Sequence, residues 1–425
     1  MNTPAPLQLK LPRCLLDPGL SGLPVDADGL VALAVEHRDG RITDLRPLPE
    51  TDIPLPLALT PLVEPHAHLD KCFSWADFPN PGGSIAGALS QNLREAEQRH
   101  GELVLARGEA ALERAWRHGL RAVRSHIDSG GAGARSSWDA LLELRSRWAG
   151  RVELQLVALV PIGHWATPAG AELARWVAAA GGLLGGVLGP PYGHGRRDRQ
   201  ALARLLDLAE ALGTGIDLHN DEADREPARG MRLLLNVLRQ RRTSPPITCS
   251  HAASLGLLNR SQLAPLAEAL AAAGIAVVAL PLTNLWLLGR RTGQQPLLRP
   301  QAPIHSLQRA GVTVAVGGDN VQDPWYPGGD FDPLELLRLA PLTSHLWPAQ
   351  RRDLAAFTTA PARLLALSWD GVLRRGGPAD LVLTGAGNWS DLLARNPQRR
   401  VLRNGRWLPM PDGGPAAALL NASMG

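Results

Sequence analysis

The sequence predicts an α/β fold: a (β/α)8 TIM barrel with a small β-sandwich domain formed by the N- and C-terminal segments. Three observations predict it. Eight short β-like runs recur between positions 60 and 320, and most are followed by long Ala-, Leu- and Arg-rich stretches of helical periodicity. Four of those runs finish in His or Asp at the same end, residues that a core strand does not tolerate without a use for them. No glycine-rich nucleotide loop follows the first run. Pro65-His66-Ala67-His68 stands there instead, which disfavours the alternative, an open doubly wound sheet.

Residues 1–60 carry short β segments, Val31–Glu36 and Arg41–Leu45, on either side of an Asp39-Gly40 turn. The barrel strands are expected at Thr60–Leu69, Leu120–Asp128, Val152–Pro161, Leu183–Leu188, Gly215–Glu222, Ile247–His251, Ile275–Asn284 and Val312–Asn320. Helical spacing marks Glu102–Arg117, Ser137–Trp148, Ala171–Ala180, Arg199–Leu212, Gln262–Ala273 and Ile304–Ala310. A long connection, 73–100, follows strand one; it is rich in Gly and Pro at 79–83 and has the composition of a lid. Beyond the barrel, Ala379–Leu383 and Arg400–Leu408 are β-like again, the second with an Asn404-Gly405 hairpin signal, while 389–399 and 412–425 read as loop or tail. The expected division is 1–60 with 371–425 as the small domain and 61–370 as the catalytic barrel.

Composition excludes several classes. The 425 residues are 45% hydrophobic and 20% charged, too apolar for a disordered chain, and no apolar run approaches the roughly 18–20 residues of a membrane span. Residues 1–24 are broken by five prolines and lack the apolar centre of a secretory signal. Cys14, Cys72 and Cys249 cannot build a disulfide framework and form no CxxC pair, so a reducing, cytoplasmic setting is expected. Net charge is +4, and Lys10 and Lys71 are the only lysines among 44 basic residues. The arginines are scattered on helix faces and form no basic stripe with aromatics, so neither nucleic acid nor membrane is an expected partner. A homo-oligomer is left open.

The chemistry is sought at the C-terminal ends of the strands, where barrel enzymes gather their sites. Strand one ends His66-Ala67-His68-Leu69-Asp70-Lys71, and histidines two apart project from one face of a strand. Alone, this pair is equally what two surface histidines would give. Strand five ends Asp217-Leu218-His219-Asn220-Asp221-Glu222, strand six Ser250-His251, and strand eight Gly317-Gly318-Asp319-Asn320. Imidazoles with a carboxylate suit Zn(II) or Fe(II), not an all-oxygen Mg or Ca site. Strand four has no lysine that could be carboxylated to bridge two ions. One divalent metal ion, Zn(II) or Fe(II), is therefore expected unless a carboxylate bridges instead.

The strings Leu62–Asp70, Val123–Asp128, Leu154–Ala158, Asp217–Asp224, Ser250–Ser254, Pro281–Leu285 and Gly317–Pro327, in this order, resemble the amidohydrolase superfamily and, within it, the cytosine deaminase group. Residues 377–383 resemble the superfamily's return to its small β domain. The resemblance implies that His66, His68, His219 and Asp319 bind the metal and that Glu222 is the proton shuttle. It also implies that His251 hydrogen-bonds water and substrate, that Asp319 accepts the proton of the attacking water, and that Trp325 lines the pocket against a flat ring. Asn320, Asn284 and Pro161 would complete the pocket wall, with His126 and Asp128 supporting the site from behind. Read without the resemblance, Glu222 is a helix N-terminal carboxylate, His251 a satisfied core histidine and Trp325 loop packing.

Two departures bear on the substrate. Cytosine deaminases carry a Gln after strand three, and gap-free counting from Leu154–Ala158 puts Pro161 there. The family's aspartate after the metal aspartate is Asn320. The hydrolytic set is intact while the base reader is not. The expected activity is hydrolytic deamination of a cyclic amidine or aminopyrimidine, a small heterocyclic, cytosine-like molecule, with cytosine itself in doubt. The rivals are hydrolysis of an N-substituted aminotriazine or a cyclic amide, and a non-catalytic ligand-binding barrel, against which Glu222 and four retained ligands argue. Lys71 either meets a substrate anion or pairs with an acid such as Asp70. The loop 129–134 lacks a P-loop lysine. The signature of zinc deaminases of polynucleotides is absent, which favours a free ring.

Overall fold

The computed structural model of the chain describes residues 5–20, 22–49, 54–192, 195–291, 293–395 and 398–409. Eight parallel strands pair in sequence order: Leu62–Ala67, Leu120–Asp128, Glu153–Leu159, Leu183–Leu188, Ile216–Asn220, Ile247–His251, Ala276–Ala279 and Val314–Val316. The last returns to the first through one bridge, Ala67 with Asp319, where the Asp319 N–H donates to His66 O at 3.1 Å. The expected barrel fold and its eight strands are present, with strand ends gathered at one mouth.

The helices form where the apolar period is helical. Ala134–Arg147 buries Trp138, Leu141 and Leu144, and Arg196–Leu212 buries Leu202, Leu205, Leu206 and Ala209 before ending on Gly213 in the left-handed conformation. Arg260–Ala272 starts on an Asn259/Gln262 capping box.

Three expectations are corrected. Strand seven stops at Ala279, because Pro281 suits the first turn of a helix and opens Pro281–Leu287; Asn284 therefore sits on a helix. The connection 73–100 contains the helix Ile85–Gln98, capped by Ser84, whose hydroxyl accepts from Gly87 N at 3.0 Å. Residues 389–394 are not loop: Trp389–Ala394 is a helix capped by Asn388. The tail 412–425 lies outside the described residues. No helix among the described residues is long and apolar enough to cross a membrane.

The chain divides into two compact units, Leu62–Ala115 with Leu120–Asp370, and Met1–Pro61 with Trp116–Gly119 and Gly371–Gly425. The second holds two antiparallel sheets. One comprises Leu7–Pro12, Leu30–Arg38 and Arg41–Pro47; the other joins Ala58–Leu59 to Leu381–Thr384, Arg399–Arg403 and Arg406–Trp407. Asn404 and Gly405 turn the last hairpin, both with positive φ, as a two-residue turn requires.

Candidate active site and metal centre

His66 and His68 leave the end of the first barrel strand, His219 lies in the fifth, and Asp319 lies just past the eighth; all four are buried. His68 Nε2 is 3.3 Å from His219 Nε2 and 3.3 Å from Asp319 Oδ1, and His66 Nε2 is 3.5 Å from Asp319 Oδ1. Ligand atoms about 2.0–2.1 Å from a tetrahedral ion stand roughly 3.3–3.4 Å apart. These three separations match edges of such a tetrahedron. Among the described residues, His66 Nε2 and both Asp319 oxygens have no hydrogen-bond partner, an arrangement a cation would satisfy. Burial and the neighbouring imidazoles hold His66, His126 and His219 well below the usual histidine range, so these rings are neutral and lone-pair-bearing.

The orientation of His66 is fixed from behind. Its Nδ1 lies 2.8 Å from Ser250 Oγ, and that hydroxyl donates to Asp217 Oδ1 at 3.0 Å. Ser250 must then accept the Nδ1 proton, which leaves Nε2 as the lone pair facing the cluster. Arg124 Nη1 donates to the other Asp217 oxygen at 2.9 Å. Burial pushes the Asp217 carboxyl up against the pull of Arg124 and Ser250. The His126 ring stacks on His66 with centroids 3.8 Å apart, and among the described residues neither of its nitrogens has a hydrogen-bond partner. It packs against a ligand ring without donating to it. His66, His126 and Asp217 also lie close together, with Arg124 and Ser250 each donating to one Asp217 oxygen.

Glu64, unremarked from sequence, joins the two ends of the barrel sheet. Its carboxyl accepts from His66 N at 3.1 Å and from Gly318 N at 3.0 Å. A Cβ on Gly317 would lie 2.7 Å from Glu64 Oε1, so any larger residue there would have to displace this carboxyl. Burial pushes Glu64 up to about 8, despite those two N–H donors. Asp319 itself has φ +66 and His251 φ +71, left-handed conformations that non-glycine residues hold at a cost.

Glu222 and His251 face each other across the mouth, Oε2 to Nε2 at 3.6 Å. Burial, with Asp319 nearby, raises Glu222 well above the usual carboxyl range. Burial also pushes His251 down to about 4, against the pull of Asp319. Asn284 Nδ2 lies 3.0 Å from His251 Nδ1 and donates to it, so Nε2 carries the proton. Burial opposes ionisation of Asp319, but His68 and His251 outweigh it and hold Asp319 below the usual range. Next to Glu222, Asp221 caps the helix Arg229–Leu238 through Gly230 N at 3.0 Å and Met231 N at 2.8 Å and accepts from the Tyr192 hydroxyl.

The remaining predicted residues are arranged as follows. Trp325 Nε1 donates to Asn92 Oδ1 at 3.3 Å, and its ring packs on the cluster of Ala88, Ala253, Leu287 and Leu288. Asn320 Nδ2 is engaged by Asp323 at 2.8 Å, so its amide donor is not free. Pro161 is exposed and opens the turn Ile162–Ala166 after strand three. Lys71 pairs with Asp128 at 2.7 Å. Asp128 also meets Arg99 at 3.1 Å and Asn92 at 3.2 Å. Burial opposes the charges of this cluster, yet mutual attraction raises Lys71 and lowers Asp128. Sequence reasoning missed Glu64, Ser250, Arg124 and Asn92; for Glu64 the available signal was a carboxylate two residues before His66 inside a buried strand.

The Amidohydrolase family profile matches residues 102–408. The pterin deaminase of Rhizobium rhizogenes is 37% identical over 403 residues, covering 91% of this chain and 90% of its own. Among solved structures, the 5-methylcytosine deaminase of Klebsiella pneumoniae, liganded with 5-fluorocytosine, superposes with a TM-score of 0.79 at 26% identity, covering 90% of this chain and 95% of its own. N-isopropylammelide isopropylaminohydrolase of Burkholderia multivorans gives 0.70 at 28% identity, covering 88% and 94%.

Proposed function

Because this chain belongs to the amidohydrolase family and hydrolyses carbon–nitrogen bonds in cyclic compounds, we propose that it deaminates the 2-amino-4-oxopyrimidine half of a fused pteridine. One observation carries the reading. Glu222 Oε2 stands 3.6 Å from His251 Nε2, the nitrogen left free of Asn284, and burial with Asp319 nearby raises Glu222 while Asp319 itself is held below the usual range. The choice of a fused ring is supported by the identity to the pterin deaminase and by Pro161, which offers no amide at the place where cytosine deaminases read their base.

His66, His68, His219 and Asp319 would hold one divalent ion, Zn(II) or Fe(II), as their spacing and neutral imidazoles suit. When bound, the ion supplies Lewis acidity, which brings a water from a pKa of about 16 to about 7. Asp319 accepts one proton of the attacking water as its oxygen adds to the ring carbon. Glu222 gives its proton to the ring nitrogen. The His251 Nε2–H donates to the added oxygen and holds it in line. Asp319 then passes its proton to the amino group, the carbon–nitrogen bond breaks and ammonia leaves. The remaining hydroxyl proton restores Glu222, and the ring keeps a carbonyl and an N–H. Each proton transfer accounts for roughly 10²–10⁴-fold in rate.

A second reading, hydrolysis of an N-substituted aminotriazine, is supported by the likeness to the isopropylaminohydrolase. The test is amine and ammonia release by metal-loaded protein from a 2-amino-4-oxopteridine, cytosine and an aminotriazine. The pteridine should be turned over fastest. No release from any ring by protein carrying one equivalent of metal would sink the deaminase reading.

A further inference from the structure

The helix Pro281–Leu287 that presents Asn284 to His251 also presents Trp286 to a second cavity, of about 680 Å³. Its lining includes Ser84, Trp286, Arg290, Arg291, Gln294 and Gln295, and among the described residues no carboxylate lines it. The Arg290 guanidinium lies over the Trp286 ring, 4.4 Å from its centroid. Among the described residues its side-chain hydrogen bonds go to backbone carbonyls, Trp286 O at 3.4 Å and Pro81 O at 3.5 Å, both long. Arg99, Arg107 and Arg124 each hold a carboxylate, whereas Arg290 and Arg291 pair with none among the described residues.

The cavity shares the helix Pro281–Leu287 with Asn284, through Leu285 and Trp286. Asn80 Nδ2 donates to Pro324 O and to Ser84 O, each at 3.1 Å, which ties the cavity rim to the residue before Trp325. Trp286 packs edge-on against Trp75, with ring centroids 6.3 Å apart, and joins the apolar cluster that Trp325 covers. A volume of this size lies within the range of about 300–1,000 Å³ that takes a small molecule. Two guanidiniums that pair with no carboxylate among the described residues, one of them over an aromatic face, match a planar anion on a flat ring.

We propose that this cavity is a subsite for an anionic substituent, a carboxylate or a phosphate, carried by the substrate ring. The inference rests on the deaminase reading for the identity of the ring, and the test separates the two. Equilibrium binding is measured on metal-loaded Glu222→Gln protein, so that no turnover intervenes. The probes are 2-amino-4-oxopteridine, its 6-carboxylate and its 6-hydroxymethyl phosphate ester. At least one anionic ring should bind about tenfold or more tightly than the bare ring, with a preference that falls as salt rises. Adding Arg290→Gln and Arg291→Gln to the same protein should remove most of that preference while metal content, which reports folding, stays unchanged. The anion that binds more tightly identifies the substituent. Equal affinities, a preference that survives the arginine changes, or no binding by any of the three overturns the subsite. In parallel, ammonia release is assayed with the unmutated enzyme. Release without an anion preference overturns the subsite alone, and an anion preference without release from any ring overturns the deaminase reading alone.

Discussion

The Ser250 hydroxyl sits 2.8 Å from His66 Nδ1 and donates to Asp217, so a serine on strand six decides which nitrogen of a strand-one histidine faces His68 and Asp319. Ser250→Ala should leave the fold intact and weaken metal binding roughly 10–100-fold, the usual cost of losing a partner behind a ligand. Titration against a competing chelator measures it. Unaltered affinity would mean that something other than Ser250 sets the tautomer.

Glu222 and His219 should separate chemistry from binding. Glu222→Gln is expected to keep a full equivalent of metal and lose at least about 10²-fold in kcat. His219→Ala should lose metal as well as activity. Metal analysis alongside kcat decides it, and full occupancy in the alanine variant removes His219 from the ligand set.

Pro161 offers a gain-of-function test. If gap-free counting from Leu154–Ala158 is right, Pro161→Gln restores a side-chain amide where cytosine deaminases read their base, and kcat/KM for cytosine should rise relative to the pteridine. If that ratio does not move, the position does not face the ring.

Asn92 joins the Trp325 indole to Asp128 and thereby to Lys71. Asn92→Ala removes one hydrogen bond to the tryptophan. Because that bond is worth about 1 kcal/mol, KM should rise roughly three- to tenfold with kcat nearly unchanged. A matching fall in kcat would instead place Trp325 in the transition-state contacts.

The Glu64 carboxyl gives a pH signature. Its folded value is pushed up to about 8, from 4.5 in the open chain. Between those values the folded state holds more protons than the unfolded one, so stability declines as pH rises through this window. In metal-free protein, denaturant melts across this range should show that decline, on the order of a few kcal/mol, and Glu64→Gln should flatten it. A bound cation would lower the carboxyl's pKa and shrink the effect. An identical slope in the variant assigns it to another group.

The barrel was legible in the sequence because its strands are apolar and its chemistry stands at their ends, as His66, His68, His219 and Asp319 show. Ser250 and Arg124 were not legible as supports, because their partners lie 184 and 93 residues away and no local pattern encodes such pairings. Lys71 likewise finds Asp128 rather than the adjacent Asp70. The helix Ile85–Gln98 escaped for another reason. It turns Ala88, Asn92 and Glu95 inward, and Glu95 joins Arg99 and Arg107, while Ile85, Leu89 and Leu93 face outward. A polar inner face inverts the apolar stripe by which helices are recognised.

The bridge between Ala67 and Asp319 is where the cylinder is sewn shut, and an ion gripped by His66, His68 and Asp319 would rivet that same join. Chelation should therefore be felt mechanically as well as chemically: the first and eighth staves would part before the others. Deuterium would then enter the amides of 62–67 and 314–316 ahead of those on the opposite side of the wall.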